Sequence, residues 1–222
     1  MTPEPNQASN CFFFHFGLIV TGEAERDHLP QLFRSLMATG ICSFEVIRYT
    51  GQRSPITSDK KKLKMVGSGR IIPDKDAEKI GFPARGYLSS SPCHFVIVID
   101  DLEYDRRDIV QQVYERYRST LDAILTEEQR GRASIHFLVN MLEAYYFADA
   151  DSINRVLHLH PPLRDFEGDV EAIVHPKGNL KRIHKGFHEI DHGVKFLPLL
   201  TLIKCYQGPR HAPICVLCLP GV

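Results

Sequence analysis

HFVIVIDD, residues His94 to Asp101, decides the fold of this chain: five apolar residues in succession, Phe95 to Ile99, end abruptly in two acids. A short, unbroken, β-branched run suits a strand buried on both faces, as in a parallel sheet covered by helices. Acids at the carboxyl end of such a strand lie where open α/β sheets place their ligand sites.

The flanking segments agree. FFFHFGLIV, Phe12 to Val20, is a second buried strand. After the turn at Thr21 and Gly22, the apolar stripe Leu29, Leu32, Phe33, Leu36 and Met37 predicts a helix over about Glu25 to Thr39, with acids in its first turn and Gly40 as its stop. A strand over about Ser43 to Tyr49 completes a β-α-β opening, which argues for a parallel sheet. Beyond the central strand, Ile109, Val113, Tyr117 and Leu121 share one face of a helix over about 108 to 125. Ser134 to Val139 reads as a strand or a helix start, and helix follows from Asn140 to about Leu157. The proline-rich last third holds two further helices, near Leu180 and Leu199.

Three regions are expected: a disordered leader at 1–10, an α/β core at 11–157 with a loop insertion at about 50–92, and a helical or irregular part at 158–222 packed on the same domain. The insertion is rich in Gly, Ser, Pro and Lys, with a basic run at Lys60 to Lys64 and a GSGR turn ending in Arg70. Glycine amides and lysines both favour anions, so Lys64 and Arg70 are candidate phosphate contacts.

At 222 residues the chain is within the roughly 250 that one core accommodates. Hydrophobic residues at 43% and charged residues at 24% are ordinary for a globular protein, which excludes disorder or a fibre as the dominant state. The formal net charge is zero, so any nucleic-acid contact must use a local patch. No run reaches the ~18 apolar residues of a membrane span. The six cysteines are read as reduced, largely buried thiols of a cytoplasmic protein.

The acids Glu23, Glu25, Asp100, Asp101, Glu103 and Asp105 converge if the strands ending at Val20 and Ile99 are neighbours. Such oxygen donors suit a hard cation such as Mg²⁺, and one or two such ions can support phosphoryl chemistry. A competing motif is His188-Glu189-Ile190-Asp191-His192, a literal HExxH, which on a helix would present two imidazoles to Zn²⁺ with the Glu as general base. Gly186 and Gly193 bracket it, no acid follows Asp191 as a downstream third ligand, and the metzincin Gly and third His are absent. Cys215 and Cys218 form a CxxC whose Val-Leu centre suits a buried segment.

Four runs in order, GLIVTGEAERDHLPQLF (17–33), VIVIDDLEYDR (96–106), HFLVNMLEAYYFAD (136–149) and HPKGNLKRIHKGF (175–187), resemble a Toprim-related family of unassigned function. Its members often lie beside OLD-type or other ABC-like ATPases in bacterial defence loci. The resemblance implies a Toprim-like, Rossmann-like fold and a Mg²⁺ (or Mn²⁺) site lined by Glu25, Glu143 and Asp149 with Asp100 or Asp101 and Glu103. It further implies that Lys177 meets a phosphate, and that the activity is a metal-dependent nuclease acting on nucleic acid with an ATPase partner. One position departs: Thr21 stands where Toprim nucleases and topoisomerases carry their leading Glu, a metal ligand or general acid/base. Glu23 would have to reach back across Gly22 to replace it. The alternative is a chain that keeps the fold as a binding or regulatory subunit without cleavage.

Overall fold

A computed structural model describes residues 11–51, 65–66, 69–70, 74–102 and 109–200 of the chain. Four strands, β1 (Phe14–Val20), β2 (Cys42–Tyr49), β5 (His94–Leu102) and β6 (Ala133–Val139), form one sheet in the order β2-β1-β5-β6 with every pair parallel. Two short strands, β3 (Met65–Val66) and β4 (Gly69–Arg70), pair antiparallel by themselves. The fold is α/β and consistent with a Rossmann-like arrangement. The chain leaves β1 for β2 on one side and later returns to β5 on the other. Strand order therefore reverses between β1 and β5, the switch point at which open α/β sheets leave a crevice.

Strict alternation along the strands sorts the core into two layers. Phe16, Leu18, Val20, Ile97 and Ile99 pack on one face with Leu29, Phe33 and the C-terminal helices. Ile19, Val96 and Val98 pack on the other with Ile80, Ala84, Leu88, Val113, Tyr117 and Leu121.

The helix expected over 25–39 is broken into α1 (Glu23–His28), a 3-10 turn (Leu29–Phe33) and α2 (Arg34–Met37). Pro30, at the start of the 3-10 turn, has no N–H to continue the α-helical ladder. The apolar stripe still serves: Leu29 and Phe33 are buried, and Leu32, Leu36 and Met37 pack against them.

Part of the segment read as loop, 50–92, is helical: α3 (Asp74–Asp76), a π turn (Ala77–Gly81) and α4 (Phe82–Ser90) form the crossover from β2 to β5. Ile80, Ala84 and Leu88, four residues apart, bury against the sheet. Asp76 is buried, and Arg116 donates two bonds to it, at 2.6 and 3.2 Å, pinning the crossover to α5 (Val110–Ile124). Next come α6 (Glu127–Arg130) and, after β6, α7 (Leu142–Tyr146), α8 (Ala150–Leu157), α9 (Pro176–Ile183) and α10 (Glu189–Phe196). The single helix expected over 140–157 is thus two helices, entered through Asn140 and Met141 at φ 58° and 74°. Such a left-handed pair is costly outside glycine. Asn140 is held there because its buried amide donates to the carbonyls of Glu171 and Ile173, both at 2.8 Å.

The cysteine reading needs correcting: Cys11 and Cys93 form a disulfide across a sequence separation of 82. The chain entering β1 runs beside the turn before β5, where His15 N donates to Cys93 O at 3.0 Å. This brings the two Cα atoms to 5.6 Å, within bridging range. Cys42 is a buried free thiol, as expected. Among the described residues no helix is long and apolar enough to cross a membrane. The leader at 1–10, Cys205, Cys215 and Cys218 lie outside the described residues, as does the chain from 201 onward.

Candidate functional site

The central strand runs further than its apolar core. Val20 at the end of β1 pairs with Ile99, whereas Asp100, Asp101 and Leu102 continue alongside Phe137, Leu138 and Val139 of β6. Both acids therefore lie inside the strand, beyond the end of its other neighbour. Consecutive strand residues face opposite sides, so the two carboxylates are separated by the sheet itself.

Asp100 faces α5. Its buried carboxylate accepts from Tyr117 Oη and from Thr21 Oγ1, each at 2.7 Å. Thr21 Oγ1 also accepts the backbone N–H of Asp101, at 3.3 Å.

Asp101 faces the other way, towards α1 and α7. Its carboxyl is held well above the ordinary carboxylate range, first by burial and then by the charges of Glu25, Glu143 and Asp100. Glu25, buried on α1, is also raised, mainly by burial; hydrogen bonds from the backbone and from Asp101 oppose that rise. The hydrogen bond between them raises Asp101 and lowers Glu25, which favours Asp101 as the member of the pair that keeps a proton. Glu143, buried in the first turn of α7, is pushed up to about 7 by burial, against a lowering by a backbone hydrogen bond and by Lys177.

Gly22 makes this arrangement possible. A Cβ there would lie 1.5 Å from Glu25 Oε2, so the carboxylate occupies the space that any side chain at position 22 would take.

Lys177, in the first turn of α9, lies close enough to lower both Glu25 and Glu143, and it forms an ion pair with Glu189 of α10. Tyr146 completes the group. Burial and the charges of Glu143, Glu25, Asp101 and Glu189 hold its hydroxyl well above the ordinary tyrosine range. Its oxygen is 3.2 Å from where a Cβ of Gly193 would stand, so the small residue on α10 admits the ring.

The structure thus brings together Glu25, Asp101, Glu143 and Lys177. Glu23 is exposed and pairs with Arg26 at 3.2 Å, so it does not reach back across Gly22. Asp149 accepts from Ser152 Oγ at 2.6 Å at the start of α8. Glu103, Asp105 and Lys64 lie outside the described residues, as does the side chain of Arg70.

The HExxH segment does not form a zinc-binding face. His188 is the exposed residue before α10, with non-helical backbone, and pairs with Asp191 at 3.3 Å. His192 Nδ1 lies 2.9 Å from both the backbone N and the O of His188. Glu189, read as a general base, is instead the partner of Lys177.

Tyr117, Tyr146 and Glu189 were not among the residues the sequence singled out for the acidic site. Tyr117 belongs to an ordinary apolar helix stripe, and only the tertiary fold shows that its hydroxyl reaches Asp100.

Among the described residues, no group of three or more His, Cys, Asp or Glu side chains is placed to hold a metal ion. The chemistry of the donors still suits a hard cation, since all are oxygens and their burial disfavours the ionised forms that a cation would favour. Comparison with protein-family models, curated proteins and solved structures gave no match for this chain.

Proposed function

We propose that this chain is a divalent-metal-dependent phosphoryl-transfer domain, a Toprim-like nuclease acting on nucleic acid, with an ATPase subunit as partner in bacterial defence or repair. One observation supports the reading: the carboxyl groups of Glu25 on α1, Asp101 on β5 and Glu143 on α7 act on one another's charge near the switch point of the sheet, each raised above its ordinary range, with Lys177 lowering two of them. Carboxyl groups whose pKa values are raised by burial and by one another's charge cluster at functional sites. Glu25, Asp101 and Glu143 would hold Mg²⁺ or Mn²⁺, joined by Glu103. A bound divalent ion would supply charge stabilisation at the phosphoryl oxygens and a more acidic water. Lys177 would orient a phosphate by exchanging its pairing with Glu189 for the substrate. A cytoplasmic setting belongs to the same reading, and the Cys11–Cys93 disulfide weighs against it.

A second reading, a regulatory or binding subunit that retains the fold without cleavage, draws on Thr21. The position of the leading acid carries a hydroxyl, and that hydroxyl is already engaged with Asp100.

Thermal unfolding with Mg²⁺, Mn²⁺ and Zn²⁺ separates these readings, because a ligand of the native state raises the midpoint by mass action. The nuclease reading expects Mn²⁺ or Mg²⁺ to stabilise wild type and not Asp101→Ala, with metal-dependent cleavage of an oligonucleotide. Stabilisation without cleavage favours the regulatory subunit. A response to Zn²⁺ alone that His188→Ala removes would overturn both.

A further inference from the structure

The departure at Thr21 has a structural counterpart. Where β1 ends, residues 100–102 of β5 lose their neighbour on that side and keep only β6. The Thr21 hydroxyl stands at that edge: it accepts the Asp101 N–H and donates its own proton to the Asp100 carboxylate. Tyr117 reaches the second oxygen of that carboxylate from α5. Thr21, Asp100 and Tyr117 are all buried.

We infer that Thr21 and Tyr117 are positioning residues for the proposed metal site: their hydroxyls retain Asp100 on the α5 face and thereby aim Asp101 at Glu25 and Glu143. This inference rests on the reading given under Proposed function. Its logic is that of strand alternation, in which fixing one residue's face fixes its neighbour's. Rotation of the strand tip by one position would bring Asp100 to the acidic group and carry Asp101 away. Two donors from two different elements, both on the same carboxylate, oppose that rotation.

The residue type follows. Asp100 accepts from position 21, and a carboxylate there would present a second acceptor in place of that donor. A hydroxyl that both donates and accepts serves the Asp100 carboxylate and the Asp101 N–H together. Thr21 is then a replacement with its own function, acting through Asp101 and not as a ligand.

The test compares Thr21→Val, Thr21→Ser and Tyr117→Phe by Mn²⁺ titration calorimetry, well below the unfolding midpoint measured for each. Outer-shell groups typically change metal affinity by about 10- to 100-fold, so Thr21→Val should weaken Mn²⁺ at least about tenfold, Tyr117→Phe should weaken it less, and Thr21→Ser should remain within about twofold of wild type. Equal Mn²⁺ affinity in wild type and Thr21→Val, with only a lower midpoint in the variant, would overturn the inference while leaving the metal site standing. If Thr21→Val does not fold, Tyr117→Phe carries the comparison, and wild-type affinity in it overturns the inference. If wild type itself does not bind Mn²⁺, the proposed metal site and this inference fall together.

Discussion

A side-chain hydrogen bond joins Asp101 of β5 to Glu25 of α1, and burial holds both carboxyl groups above their ordinary range. Burial and mutual repulsion disfavour ionising both, as in other carboxyl pairs that hold a single proton. Asp101→Asn preserves a donor to Glu25 and removes the second acid. In metal-free buffer above pH 7 we expect this variant to be more stable than wild type by about 1 kcal/mol, a midpoint rise of roughly 2–4 °C for a chain of this size. It should also lose any stabilisation by Mn²⁺. Calorimetric unfolding with and without Mn²⁺ checks both parts.

Glu143 gives the fold a pH dependence of definite sign. Its folded value of about 7 lies above the ordinary 4.5, so between those limits the folded state binds more protons than the unfolded chain. Stability is then greatest below about 4.5 as far as this group is concerned, falls as pH rises to about 7, and levels off beyond. The full difference is on the order of 3 kcal/mol. Denaturant unfolding of wild type and Glu143→Gln from pH 5 to 8 should show the decline in wild type and a flatter profile in the variant.

Gly22→Ala should damage the site with little effect on the fold. The backbone at position 22 is extended, at φ −91° and ψ 154°, so alanine is tolerated by the chain itself. The obstruction is the Glu25 carboxylate, the far end of a flexible side chain that can be displaced. We expect an unfolding midpoint within a few degrees of wild type and a clearly reduced Mn²⁺ shift, a combination that core damage would not produce.

Cys11–Cys93 lies at the amino ends of β1 and β5, opposite the acidic group. In the chain-entropy account, a cross-link spanning this separation contributes about 4 kcal/mol. Reduction, or Cys93→Ser, should lower the midpoint by roughly 10 °C. The additional shift produced by Mn²⁺ should be unchanged, because the disulfide and the acidic group stand at opposite ends of β1 and β5.

Much of the framework was legible in the sequence because it depends on local pattern. The runs ending at Val20 and Ile99 could only be buried strands, and the acids after them marked the carboxyl edge. What escaped was set by contacts between distant segments. The spacing of Ile80, Ala84 and Leu88 was visible, but the surrounding Gly, Ser and Lys residues obscured it. Pro30 was visible too, yet the continuous apolar stripe outweighed it. At the site, adjacency made Asp100 and Asp101 look equivalent. Their different roles depend on strand alternation together with hydroxyls from Thr21 and Tyr117, one of them 17 residues away on another element. Glu189 was sought as a base within a histidine motif, whereas its position relative to Lys177 follows from how α10 packs.

The disulfide has a mechanical meaning beyond its effect on folding. β1 and β5 are tied covalently just before their first paired residues and again, by hydroxyl bonds, just past their last. Two ribbons fastened at both ends cannot slide along one another. The separation between Glu25 and Asp101 must therefore be adjusted by α1, the short element on which Glu25 rides, while the sheet acts as the fixed jaw.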